Sequence, residues 1–456
     1  MSRAGSAAGT GAVVAVLLAA GCSPRPLFRE GDRASGASPE APPPGPASWS
    51  PPIVSTQPEP PASTARGGWR SVLPDVGRRP REVVVSVNTA RRAALRNAEL
   101  VTRIVNGLPP STTVHVLTND RAALAVARDD RPGRVRFIEL PADNPITIWP
   151  QDPFLVLTPD ARGGRPMLLT SREFDRAGDR LMAQSVARSA GLELRASELS
   201  FEGGNVVSDA EHVLVGENTI RHNARALGES LVEVVLRFEE ELGRRVLVVG
   251  PFPQPVAHLD MILTPLGEGR LALADPAAGA RIGERALAED PSSVAAFERL
   301  CEELFFGDPR IRELPLRDGG TSEPPRLAGQ TRTMIELSRA LAPVLDGVAA
   351  SLEEAGYRVA RVPFLFGGPE SRAAEPGVTT DRPRAGYPML TYNNVLLEVD
   401  VEGPVVYLPS YGWDALDAAA VRAWRSIGFA PRPIEGLVTS AMYGGALRCA
   451  VKVLSR

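Results

Sequence analysis

Lysine is almost missing from this chain. Lys452 is the only one among 51 basic residues, and the rest are arginine. With 43 prolines and 42 glycines beside it, this is a compositional bias that carries no function. A basic excess is missing too: 51 Lys and Arg face 54 Asp and Glu, for a formal net charge of -3. Nucleic acid is therefore a poor candidate partner. Cysteine is scarce, with Cys22, Cys301 and Cys449 alone, which excludes a disulfide-stapled secreted scaffold. No heptads or short-period repeats occur. What remains, over 456 residues, is enough chain for a large core or two smaller ones, plus segments that do not fold.

The N-terminus reads as an export signal. Arg3 supplies a short positive region, and Gly11 to Ala20 (GAVVAVLLAA) is apolar but too short to span a bilayer. It ends in Ala19-Ala20-Gly21-Cys22, which resembles a bacterial lipobox, with Ala19 where leucine is usual. That resemblance implies lipidation at Cys22 after removal of a signal peptide at 1–22. The expected location is the bacterial cell envelope, periplasmic or surface, with the lipid bilayer as a partner. An ordinary signal peptide with a chance cysteine is the alternative. From 23 to about 68 the chain is mostly Pro, Ser, Ala and Gly, as in PEAPPPGPASWSPP. Such a segment buries too little apolar surface to offset its ordering entropy, and its prolines favour an extended form. A Pro-rich tether at 23–79 and a folded domain at 80–456 are expected.

Within that domain short apolar strands alternate with helices, which indicates an α/β fold. Strands are expected at 82–87, 112–117, 135–140, 166–170, 205–207, 212–215, 245–249, 389–399 and 403–408. Two more are expected at 146–157, interrupted at Pro150, and at 446–454. Helices are expected at 91–106, 177–190, 227–242, 281–306, 330–355 and 414–426. The Gly- and Pro-rich 307–328 and 367–387 read as surface loops.

Five segments bring ionisable or nucleophilic groups to strand–loop edges: Trp149-Pro150-Gln151-Asp152, Phe201-Glu202-Gly203-Gly204-Asn205, His258-Leu259-Asp260, Tyr392-Asn393-Asn394 and Gly444 to Cys449 (GGALRC). Each alone has a plain reading, as a cap, a hairpin, a core histidine or a small buried hydrophobe. Together they suit a guanidinium, a planar permanent cation that carboxylates bind bidentately. Asp152 and Asp260 can grip it, and a Cys449 thiolate can attack its central carbon. A free thiol has a pKa near ~8.5, so a cation must help it ionise. The substrate or a protonated His258 can serve. His258 is then the general acid and base, with Glu202 orienting it. The glycine pairs at 203–204 and 444–445 permit close backbone approach to the substrate.

The ordered set Asp, EGGN, HxD and a Gly-Gly loop ending in Cys resembles the pentein superfamily of guanidino-group-modifying enzymes. HLD is similar to the arginine deiminase triplet, and YNN with VVYLP and GG-x-x-x-C to the agmatine deiminase C-terminus. WPQD most resembles protein-arginine deiminases, as does the helical stretch between His258 and Cys449 ending in RVARVPFLF (residues 358–366). The resemblance implies an α/β propeller of ββαβ-type units around a pseudo-fivefold axis. It implies hydrolysis of a guanidinium to a ureido group and ammonia through a Cys449 thiouronium. Catalytic residues would be Cys449, His258, Asp152, Asp260 and Glu202. Asp152, Asp260, Gly203, Gly204, Asn205 and Asn394 would bind substrate. Peptidyl-arginine, giving citrulline, is the lead substrate and a small guanidine such as agmatine or arginine the alternative. A catalytically inactive binding protein is a third reading.

Two positions depart from the pattern. Arg448 stands where these families usually have histidine before the nucleophile. Pro153, Phe154 and Leu155 stand where the calcium-dependent protein-arginine deiminases carry acidic residues. No cofactor or metal is expected, and calcium activation is not expected either. Cys301, on an apolar-periodic helix position, reads as core. A disulfide with Cys449 would abolish the chemistry, although the two segments have no evident reason to meet.

Overall fold

A computed structural model of the chain describes residues 70–87, 94–119, 133–142, 144, 146–159, 165–306, 327–367 and 387–456. Cys22, the signal segment and the tether up to residue 69 lie outside these residues, as do most of 307–328 and 367–387.

Five small sheets carry the fold, and a single unit recurs in all of them. In each, two strands pair antiparallel, the chain crosses over through helix, and a third strand returns parallel to the second. The units pair Phe154–Pro159 with Met167–Thr170 and then Glu193–Ala196, Val206–Ser208 with His212–Gly216 and then Arg245–Val249, and Leu263–Gly267 with Arg270–Asp275 and then Arg358–Leu365. The fourth pairs Leu396–Asp400 with Gly403–Pro409 and then Ala430–Ile434. In the fifth, Lys452–Ser455 pairs with Glu82–Val87, which pairs with Thr113–Thr118, so the C-terminal strand completes the N-terminal sheet. The expected α/β class holds. Strand Glu82–Val87 shows why its sequence is apolar throughout. Val83, Val85 and Val87 enter one core cluster while Val84 enters another, so both faces are buried.

The crossover helices follow local rules. In Leu231–Leu242, Ser230 and Glu233 form a reciprocal capping box, and Gly243 closes the helix at φ 64°. Its stripe of Val234, Val235, Phe238 and Leu242 is buried, each such side chain contributing about 1.5–3 kcal/mol.

Several expectations need correction. The fold begins by Arg70, not at 80. Arg70–Val72 pairs with Leu157–Pro159, and Val72 is buried in a core cluster. A three-residue strand is too short to stand out against proline-rich surroundings. Residues 146–153 are not strand, because Pro150 has no N–H to donate and Asp179 takes the Thr147 N–H. The helix expected at 227–242 starts at Leu231, and a helix that was not expected, Glu217–Leu227, precedes it and is closed by Gly228 at φ 70°. The stretch 281–306 is also two, Pro276–Glu289 and Pro291–Phe306, since Pro291 starts a helix but cannot continue one. The strand expected at 389–399 breaks at 392–395, and 446–450 is a turn that precedes the last strand.

The breaks have a common position. WPQD, EGGN, HLD, YNN and LRC each lie immediately before the first strand of one unit. The same place in five repeats therefore delivers one side chain or two to a shared location.

Candidate active site

Cys449 sits in the turn before the last strand and is 3 % exposed. Its turn needs Gly445, where a Cβ would lie 2.6 Å from the Trp149 ring. Asn394 grips the cysteine at both ends. Its Nδ2 lies 3.1 Å from Sγ, and its Oδ1 accepts the Cys449 N–H at 3.0 Å. The Asp260 carboxylate oxygens are 3.7 and 3.9 Å from Sγ. His258, Asp260 and Cys449 thus place donor atoms within 4.8 Å of one another.

His258 is oriented from two sides. Its Nε2 meets Glu202 Oε2 at 2.5 Å, and its Nδ1 is 3.8 Å from Asp152 Oδ1. Burial lowers the imidazole pKa, but Asp152 and Glu202 together hold it well above the usual histidine range. Burial and the neighbouring Asp260 push the Cys449 thiol up to about 11, against a hydrogen bond from His258. The resting pair is therefore imidazolium and thiol. Cys301 is buried, free and pushed far up by burial, so it is core as expected.

Both carboxylates already hold a guanidinium. Arg448 Nη1 donates to Asp260 Oδ2 at 2.6 Å, and its Nε and Nη2 reach Asp75 Oδ1 at 2.9 and 2.8 Å. Arg448 thus turns its charge to Asp260 and Asp75. Burial raises the Asp260 pKa more than Arg448 and His258 lower it. Arg176 Nη2 donates to Asp152 Oδ2 at 2.7 Å while its Nε holds Asp179 at 2.9 Å. Asp152 Oδ1 remains buried with no hydrogen-bond partner among the described residues.

The glycines and amides expected to bind substrate make close contacts within the chain. A Cβ at Gly203 would sit 2.1 Å from the Gln151 carbonyl, and one at Gly204 would sit 2.5 Å from His258 Nδ1. The close approaches they permit here are to the chain itself. Asn205 Oδ1 accepts from Gln254 Nε2 and from the Leu259 N–H, both at 3.0 Å, so it holds the loop that carries His258. Asn394 likewise touches Cys449. Sequence reasoning missed Arg176, Asp179 and Asp75. Arg176 lies 24 residues beyond Asp152 in an unpatterned loop, and only its charge near the Met167–Thr170 strand hinted at a role.

His258, Asp260 and Cys449 form the only candidate metal group among the described residues. The donor set does not suit a cation. His258 holds its proton and Arg448 occupies one Asp260 oxygen, so the electron pairs a metal needs are engaged.

No family model matches the chain, and no curated protein matches it. Solved structures do. An agmatine deiminase of C. jejuni, a cysteine-to-serine variant with substrate bound, superposes with a TM-score of 0.55 at 11 % identity over 86 % of this chain and 98 % of that one. The fold is that of the agmatine deiminases. The Enterococcus faecalis agmatine deiminase gives a TM-score of 0.53 at 13 % identity, over 85 % of this chain and 96 % of that one. A Porphyromonas gingivalis chain assigned as an arginine deiminase gives 0.51 at 17 %, over 85 % and 99 %. The agmatine deiminase fold therefore spans most of the chain.

Proposed function

We propose that this chain is a cysteine-dependent hydrolase of guanidino groups, with peptidyl-arginine as its lead substrate. The observation that carries it is the buried Asp152 Oδ1, which faces His258 and has no hydrogen-bond partner among the described residues, with Cys449 and Asp260 near by. Two carboxylates that already bind arginine side chains have the charge and shape for a third guanidinium. A bound guanidinium lowers the thiol pKa, and Cys449 releases its proton to solvent. Sγ attacks the central carbon, and the His258 imidazolium gives its proton to the nitrogen that leaves as ammonia. Neutral His258 then takes a proton from water, hydroxide adds to the thiouronium, and collapse expels the thiolate and leaves a ureido group.

A small guanidine is the second substrate reading, favoured by the agmatine deiminase fold. The inactive reading draws on Arg176 and Arg448, which occupy Asp152 and Asp260 in place of a ligand. Ammonia release from an arginine peptide, agmatine, free arginine and buffer separates all three. Release from the peptide alone supports the lead, release from agmatine or arginine the second, and none the third.

The five repeated units and the pairing of the C-terminal strand with the N-terminal sheet support closure into a five-bladed propeller. The lipobox-like Cys22 and the Pro-rich segment behind it support a membrane-anchored envelope enzyme on a tether, with the folded domain starting near residue 70.

A further inference from the structure

Beside Arg448 and the last strand lies a cavity of about 30 Å³. Water-sized groups need about 10–15 Å³ each, so it has room for about two or three. Three cations line it, Arg448, Lys452 and Arg456, spaced four residues apart along the last segment of chain. One carboxylate lines it, Asp75, and both its oxygens are engaged. Oδ1 takes Arg448, and Oδ2 accepts the Ser208 N–H at 2.8 Å.

The chain's only lysine thus forms no direct salt bridge among the described residues, with Asp75, Asp152 and Asp260 acting on it only from further away. Lys452 is 4 % exposed, and its Nζ makes one long hydrogen bond, 3.3 Å to the Gln151 carbonyl. The Phe154 ring 5.3 Å away supplies its other favourable contact. Of the three ammonium donors, two have no acceptor among the described residues. Arg456 donates to the Asp75, Arg78 and Leu397 carbonyls, but its buried Nε has no partner. Burying a charge without compensation is costly. Burial and Arg448 accordingly push the Lys452 ammonium down to about 7.

We propose that this cavity binds one small monovalent anion, of halide or formate size, between Lys452 and Arg456. The anion supplies the missing counter-charge and accepts from the orphaned donors. The volume suits an ion of that size better than phosphate or a larger carboxylate. The site is distinct from the guanidino site, and its occupancy does not depend on the reaction proposed above.

Thermal unfolding of the full-length protein tests it, titrated with chloride, bromide or formate against gluconate at constant ionic strength. The expected result is a saturable rise of a few degrees with the three small anions and none with gluconate. Lys452→Met, close to lysine in shape but uncharged, is expected to lose that rise. Identical curves in chloride and gluconate, or an undiminished chloride response in Lys452→Met, overturn the proposal. If Lys452→Met does not fold, wild-type crystals soaked in bromide decide. An anomalous peak between Nζ and Nε supports the site, and an empty or water-filled cavity overturns it.

Discussion

Asn394→Asp isolates what the amide does for the Cys449 thiol. Nδ2 is the nearest donor to Sγ, at 3.1 Å, and Oδ1 accepts the Cys449 N–H. The aspartate keeps that acceptor but replaces the donor with a second oxygen. A hydrogen bond to a charged group contributes about 1.5–3 kcal/mol, and each pKa unit corresponds to about 1.4 kcal/mol. The thiol pKa should therefore rise by about one to two units. Below that pKa the thiolate fraction, and with it the rate of Cys449 alkylation by iodoacetamide, should fall about 10- to 100-fold. The assay is mass-spectrometric alkylation at several pH values, with melting temperature as a control. Asn394→Ala should slow alkylation similarly and also destabilise the fold by about 1–3 kcal/mol, because the buried Cys449 N–H loses its acceptor. Unchanged alkylation and unchanged pH dependence in Asn394→Asp would refute the positioning role.

Other expectations follow from the same geometry. In the wild type, alkylation of Cys449 should rise with pH towards a midpoint near 11, while Cys301 stays inert; a plateau already reached at pH 7 would contradict the burial argument. Gly204→Ala should abolish turnover with a smaller loss of stability, since its Cβ displaces the His258 ring; kinetics beside a melting curve check this. Arg448→Met should cost about 3–5 kcal/mol of stability, because it strands the fully buried Asp260; denaturant unfolding with a loss under 1 kcal/mol would be inconsistent with that pairing. Cys22→Ser should shift the protein from membrane to soluble fractions, and equal partitioning of both forms would remove the lipid anchor from the account.

The sequence was informative where chemistry sits in a compact local pattern. Cys449, His258, Asp260, Glu202 and Asp152 converge as their four loops suggested, because each loop opens a repeated strand pair. Strands such as Glu82–Val87 were readable from unbroken apolar runs. What the sequence concealed were long-range partners. Asn205 and Asn394 read as substrate ligands, yet their amides close on Gln254 and on Cys449, 49 and 55 residues away. Gly203 and Gly204 signalled a close approach but not to what. Arg176 and Asp75 carried no motif at all. Arg448, flagged as a departure, turns its charge towards Asp260 and Asp75, which spacing alone could not reveal.

Covalent labelling tests the central claim most directly. A haloacetamidine, a guanidine mimic with a leaving group, is incubated with the protein, and the adduct is mapped by mass spectrometry with and without an arginine peptide or agmatine. The account predicts one adduct, on Cys449, suppressed by a guanidine substrate and absent in both Cys449→Ser and His258→Ala, neither of which turns substrate over. Labelling at Cys301, or wild-type turnover in Cys449→Ser, would contradict it.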